Sequence, residues 1–281
     1  KSDIIYPSVS GFGQYGPYHT RPGYDAIGQA MGGLMSLNGY PDGPPTRVSS
    51  AVGDNLTGWQ GAIGTMSALY YREKTGKGQH IDANLLDTIL YISDFGIMGA
   101  ANADWVWPRM GSRHPGGGPL NIYRCKDDFI FILVVLPSHW AKLCKIIERE
   151  DLIEDPRTRT LADRALHIDF VDELIGAWTR EKTAAEVLQI MEKAELVASP
   201  IYDFSRILQD EHIREREMVA EVDHPVAGKV KLFGVAVKHS LTPGKVRSPA
   251  PLLGQHNCEV YGVQLGLSEE ELEQLKEKEV I

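Results

Sequence analysis

The stretch Phe129-Ile-Phe-Ile-Leu-Val-Val-Leu136 sets the architecture. It is an unbroken run of aromatic and branched apolar residues of strand length, far too short to cross a bilayer, so it reads as a buried strand. Immediately afterwards the period changes. Ser138 to Glu150, Asp169 to Thr179 and Thr183 to Ala194 repeat their apolar residues at helical spacing. Thr183-Ala-Ala-Glu186 has the form of a capping box. Strand signals return at 219–223 and 229–238, and Ser268-Glu-Glu-Glu opens a last helix with acids at its positive end. Strands alternating with helices predict an α/β or α+β fold of enzyme size.

Outward from that strand the chain has three textures. Residues 1–124 are rich in glycine and aromatics and low in charge, as a ligand-lined interior would be. Residues 125–220 are charged and mainly helical behind their leading strand. Residues 221–281 begin with strands and end in the acidic helix. The opening residues, Lys1 to Pro7, read as a strand running into a turn, as though the chain began in mid-fold. Across 281 residues, 29 basic and 38 acidic side chains leave a formal charge of −9. That balance gives no general attraction for nucleic acid or an anionic membrane, so a phosphate-bearing ligand would need a local basic pocket. Cys125, Cys144 and Cys258 are too few and too scattered for a disulfide framework, which fits a reduced, cytoplasmic protein. The nine histidines form no metal-ligand spacing, and neither a GxSxG elbow nor a nucleotide P-loop is present.

Two segments have the residue types for chemistry. The first is Val52-Gly-Asp54-Asn, which precedes a helical pattern over Asn55 to Lys74 that stops at Thr75-Gly76-Lys77-Gly78. Asp54 stands where a helix N-cap belongs, and capping alone would account for it. The same placement also suits a nucleophilic carboxylate, kept ionised by the helix N-terminus and flanked by N–H groups able to steady an oxyanion. Within this helix Gly58, Gly61 and Gly64 recur every third residue, and the expectation is a buried side-chain-free face. Upstream, Asp25 to Leu37 reads as one closely packed helix. The second segment is Gly116-Gly117-Gly118, set between Pro115 and Pro119. It is either a plain surface loop or a lid that shields a reactive intermediate.

Taken together, Ser10-Gly-Phe-Gly-Gln-Tyr-Gly-Pro17, Gly23-Tyr-Asp25, Gln29-Ala-Met-Gly-Gly-Leu-Met35, Gly53-Asp54 and Lys74-Thr-Gly-Lys-Gly-Gln79 resemble the class III coenzyme A transferases. The resemblance continues through Tyr123-Arg-Cys-Lys126, Ser199-Pro200 and Ser248-Pro-Ala-Pro-Leu-Leu-Gly-Gln-His256, nearly the whole chain. It implies an α/β fold with a large lobe and a smaller α+β domain, in an interlocked dimer. It implies transfer of CoA between an acyl-CoA thioester and a carboxylic acid, without metal and without any cofactor beyond CoA as substrate. Asp54 falls on the family's catalytic aspartate, Gly116, Gly117 and Gly118 on its active-site loop, and Arg21, Gly23, Tyr24 and Asp25 on the segment lining the CoA and acyl pocket.

Racemase relatives carry a histidine base at the position of Tyr24. A tyrosine with an ordinary pKa of about 10 is a poor base at neutral pH. Transfer is therefore preferred to an acyl-CoA racemase or isomerase, while a non-catalytic CoA-binding subunit, in which Asp54 only caps its helix, stands as the alternative of another class. Family members also carry an N-terminal α/β lobe whose basic residues hold the CoA phosphates. The expected partners are thus the two substrates and either a second copy or a chain supplying that lobe, with no nucleic acid and no membrane.

Overall fold

In the computed structural model, which describes residues 1–281, two short strands pair in parallel beneath one long helix. These are β1 (Tyr6–Ser10) and β2 (His80–Asn84), in register from Tyr6 opposite His80 to Ser10 opposite Asn84. Between them run α1 (Asp25–Met31), α2 (Leu34–Leu37) and α3 (Val52–Thr75). Asn84 then caps α4 (Leu85–Ile92) by accepting the Asp87 N–H, and α5 (Asp94–Ala103) follows. The continuous helix expected over Asp25 to Leu37 is broken at Gly32-Gly33. Gly33 takes φ 88°, a left-handed conformation open to glycine, and α2 restarts behind it.

The α3 helix ends as its sequence indicates, with Gly76 at φ 71° receiving the chain in a left-handed cap. Its buried stripe is Gly53, Thr57, Gly61 and Ala68, which lies toward β1, β2 and α4. A Cβ on Gly64 would come within 2.8 Å of the Ile81 side chain, and one on Gly61 would touch Val9 at 3.6 Å. Gly58 departs from the expected glycine face. It is exposed with open space around it, because the helix turns it off the strand surface. On the outer side Trp59, Ile63, Met66 and Tyr70 form a second apolar stripe, each more than 60% exposed.

The main core lies further along the chain. The strands β3 (Leu120–Arg124), β4 (Phe129–Leu133) and β5 (Val197–Pro200) form an antiparallel sheet in the order β3-β4-β5. The helices α6 (Pro137–Ile146), α7 (Leu161–Leu166), α8 (Ile168–Arg180) and α9 (Ala184–Lys193) connect β4 to β5. Ile130 and Ile132 of the central strand, Trp140, Leu143, Val171, Ile175, Val187 and Met191 are fully or almost fully buried together. The capping box at Thr183 and Glu186 is present. These elements complete a compact unit, Lys1–Ile201.

A second compact unit spans Tyr202–Ile281. It contains α10 (Phe204–Ile207), α11 (Glu211–Glu215), the hairpin β6 (Val219–His224) and β7 (Gly228–Phe233), a π-helical turn at Cys258–Gln264 and α12 (Glu269–Glu277). Ser268 and Glu271 close a second capping box, with the first-turn acids placed as the sequence suggests. No helix of the chain is long and apolar enough to cross a membrane.

Candidate active site

The local geometry is organised by Asp25, in the first turn of α1. Its carboxylate is buried, 7% exposed, and is held by two donors. Gln29 Nε2 donates to Oδ2 at 2.7 Å, and the backbone N–H of Gly53 donates to Oδ1 at 2.8 Å. Gln29, one turn on, is fully buried and also grips the incoming loop. Its Oε1 accepts the Val48 N–H at 3.0 Å, and its Nε2 lies within reach of the Val48 and Ser50 carbonyls. The loop before α3 is thereby fixed to α1, and Gly53 is pinned one residue before Asp54. A side chain at Gly53 would meet Asp25 Oδ1 at 3.0 Å, so glycine lets the carboxylate approach without a shift.

Asp54 itself is exposed, and its carboxylate has no hydrogen-bond or ionic partner within the chain. The expected N-cap role is corrected by the helix boundary. The α3 helix starts at Val52 with Ala51 as N-cap, so Asp54 lies inside the first turn and caps nothing. Electrostatically the position remains favourable, because the positive end of a helix extends over its first turn. The other first-turn donors are used: Val52 N–H by Ser50, Gly53 N–H by Asp25 and Asn55 N–H by Ala51. The N–H of Asp54 is left without an acceptor. An exposed carboxylate and a free N–H therefore stand on the same residue, at a helix N-terminus fixed from below.

The other pocket candidates fall into two groups. Gly23 crosses Gly11 so closely that a Cβ on either would lie within 3 Å of the other's Cα. Phe12 packs on Gly23 and edge-on to Tyr18, while Arg21 stacks its guanidinium 4.0 Å over the Tyr18 ring. Tyr24, the residue between Gly23 and Asp25, is 79% exposed and makes no capping bond to α1. Asp25, by contrast, faces inward and spends both oxygens on protein donors. It supports the Asp54 turn and presents no free atom to a ligand.

The glycine triplet is gathered elsewhere, against α7 and α8. Only Gly116 is exposed. Gly117 packs on Leu161 and Gly118 on Ile168, with the peptide to Pro119 in the cis form. The two ends of the loop are held by arginines that the sequence did not single out. Arg113 pairs with Asp172 at 2.6 Å and with Asp169 at 2.8 Å. Arg164, fully buried over the Trp140 ring, donates to the carbonyls of Gly118, Thr158 and Val135. Asp172 also accepts from Asn121 and from the Tyr123 hydroxyl, whose pKa is driven far up by burial and by the adjacent carboxylate. No group of three His, Cys, Asp or Glu side chains is arranged to hold a metal ion.

The chain is thus a mixed α/β fold with an unpaired carboxylate at a braced helix N-terminus. Residues 1–257 match the profile of CoA-transferase family III. The succinyl-CoA–D-citramalate CoA-transferase of Chloroflexus aurantiacus is 35% identical over 279 residues, covering 99% of this chain and 69% of that protein. The formyl-CoA:oxalate CoA-transferase of Streptomyces coelicolor is 35% identical over 295 residues, covering 99% and 71%. The crystal structure of a CAIB/BAIF family protein from Brucella suis superposes with a TM-score of 0.80 at 29% identity, covering 93% of this chain and 68% of that one. The chain belongs to CoA-transferase family III, and its relatives' activity places it among enzymes of the EC 2.8.3 type.

Proposed function

We propose that the protein transfers coenzyme A from an acyl-CoA to a carboxylic acid, with Asp54 carrying the activated group. The observation that supports this reading is the exposed, unpartnered Asp54 carboxylate on a turn fixed by Asp25. In the first step an Asp54 oxygen attacks the thioester carbonyl, the C–S bond breaks, and CoA thiolate leaves behind a mixed anhydride. The thiolate then attacks the Asp54 acyl carbon, releasing the donor acid and forming an aspartyl-CoA thioester. The acceptor carboxylate attacks that thioester and regenerates thiolate plus a second anhydride. Attack of the thiolate on the acceptor's acyl carbon releases the new acyl-CoA and restores Asp54. Each step exchanges one activated acyl group for another, so no ATP is consumed.

In this reading the free Asp54 N–H lies beside the oxyanions formed at its own carboxyl and contributes a fixed donor. Tyr24 and Arg21 line the substrate approach, and the exposed Gly116 edge of the loop limits water near the anhydride. The outer apolar stripe of α3 favours assembly with a second copy or a complementary lobe, as the interlocked dimer of the resemblance requires. Relatives named for succinyl, formyl, oxalate, citramalate and mesaconate groups direct the first substrate panel to short acids. The test is chemical trapping. Incubation with each acyl-CoA donor followed by hydroxylamine should convert Asp54 to its hydroxamate, visible by peptide mass spectrometry. A preparation that turns over and gives no adduct on Asp54 would exclude the relay.

A further inference from the structure

Within the second unit one segment reverses the acidic balance of the chain. No Asp or Glu occurs between Asp223 and Glu259, while Lys229, Lys231, Lys238, Lys245 and Arg247 do. Most of this segment has no regular structure, and it lines an open surface cleft of about 330 Å³. Gly234 N–H donates to the Met218 carbonyl at 2.9 Å, and any side chain at Gly234 would collide with the Glu217 carbonyl. That contact fixes the open end of the β6–β7 hairpin against the end of α11. The chain then leaves at Val235 and returns at Gly244, where a Cβ would come within 3.0 Å of the Val235 side chain. The returning loop brings Lys238 and Lys245 to the same cavity as Arg214, with Glu217 as its one acidic lining residue.

None of the three cations is held in an ion pair. Lys238 and Lys245 make no ion pair or hydrogen bond, and Arg214 donates only to the Gln209 carbonyl at 3.4 Å. By contrast Lys229, on the neighbouring strand, is paired with Glu221 at 2.7 Å. Like charges converging on a concave site repel one another, and a chain with 38 acidic residues has ample means to neutralise them. Their field in a concavity concentrates anions. We propose that this cavity binds a phosphate group, with Lys238 and Lys245 as point charges and Arg214 as the forked donor on the phosphoryl oxygens. The source is either free inorganic phosphate or the terminal phosphate of a nucleotide such as CoA. The proposal is independent of the role of Asp54.

Isothermal titration of the whole protein with inorganic phosphate, adenosine 3′,5′-bisphosphate, CoA and dephospho-CoA tests it. Wild-type protein should bind at least one of these probes, more weakly as salt rises. At roughly tenfold per lost charge-assisted contact, Lys238→Ala/Lys245→Ala should weaken binding about a hundredfold. Lys229→Ala, equal in charge change per site but outside the cavity, should leave binding within about twofold. Preference for CoA over dephospho-CoA identifies the nucleotide 3′-phosphate, and equal affinity for inorganic phosphate identifies the free anion. No binding of any probe at millimolar concentration overturns the proposal. So does a double variant that binds as wild type does, and in that case trapping at Asp54 would still stand or fall by itself.

Discussion

The Asp25 Oδ1 atom accepts the backbone N–H of Gly53 at 2.8 Å, joining the first turn of α1 to the first turn of α3. One carboxylate thus faces the positive ends of two helices, and this helps explain how it is buried without a cationic partner. Its effect is on the next residue. With Gly53 held from below and Gln29 holding Val48 and Ser50, the direction in which Asp54 leaves the helix is set by tertiary contacts.

Asp25→Ala removes one acceptor of Gln29 Nε2 and leaves the buried Gly53 N–H unpaired. Such a loss costs about 1–3 kcal/mol. Urea denaturation should show that destabilisation, and the transfer kcat should fall more than the KM for acyl-CoA changes, because Asp54 loses its bracing. Asp25→Asn keeps an oxygen for Gly53 but turns an amide toward Gln29 Nε2, so it should lie between wild type and Ala. Wild-type stability for Asp25→Ala would contradict the bracing role.

The glycines of α3 should separate cleanly under substitution. Gly58→Ala enters open space and gains helix propensity, worth up to about 1 kcal/mol of stabilisation. Gly64→Ala drives a methyl to 2.8 Å from Ile81, so the strand or the helix must shift and stability should fall by about 1–3 kcal/mol. Thermal melts of the two variants in one background give the comparison. Equal shifts for both would mean that the α3–β2 contact is looser than its geometry.

Cysteine reactivity gives an independent check on burial. Burial raises the Cys144 thiol to about 12 and moves Cys125 up as well, whereas Cys258 is exposed. Only the thiolate alkylates, so iodoacetamide at pH 8 should modify Cys258 alone in the native protein. Cys144 should react once denaturant is added. Native-state labelling of Cys144, mapped by peptide mass spectrometry, would be inconsistent with its core position.

Much of the scaffold was legible in the residues because its signals are local. The capping box at Thr183, the glycine stop after Thr75 and the apolar run at Phe129 each act within a few residues. The misplacement of Asp54 has an equally local cause. Aspartate is favoured both at the N-cap and in the first turn, and Ser50, Ala51 and Val52 settle the boundary only through their backbone. The Asp25–Gln29 clamp and the two arginine anchors of the glycine loop were not legible. Each grips residues far away in sequence, the clamp through Gly53 and Val48, and a buried arginine such as Arg164, bonded only to carbonyls, leaves no charge partner in the sequence to pair it with.

Asp54→Asn separates chemistry from structure more sharply than the sequence allowed. Because Asp54 is exposed, lies inside the first turn and makes no bond, neither Asn nor Ala at this position removes a cap or a contact. Both should lose no more than the attraction of the first-turn charge to the helix N-terminus, about 0.3–1 kcal/mol. The proposed relay, however, requires an ionised oxygen that forms and breaks an acyl bond, and an amide cannot replace it. Both variants should lose transfer by several orders of magnitude while still binding acyl-CoA. Because the two variants share the lesion but differ in shape, equal loss in both assigns the defect to the missing carboxylate. Retained turnover in Asp54→Asn, with the folded fraction verified by circular dichroism, would reduce Asp54 to a bystander at the helix end and end the covalent reading.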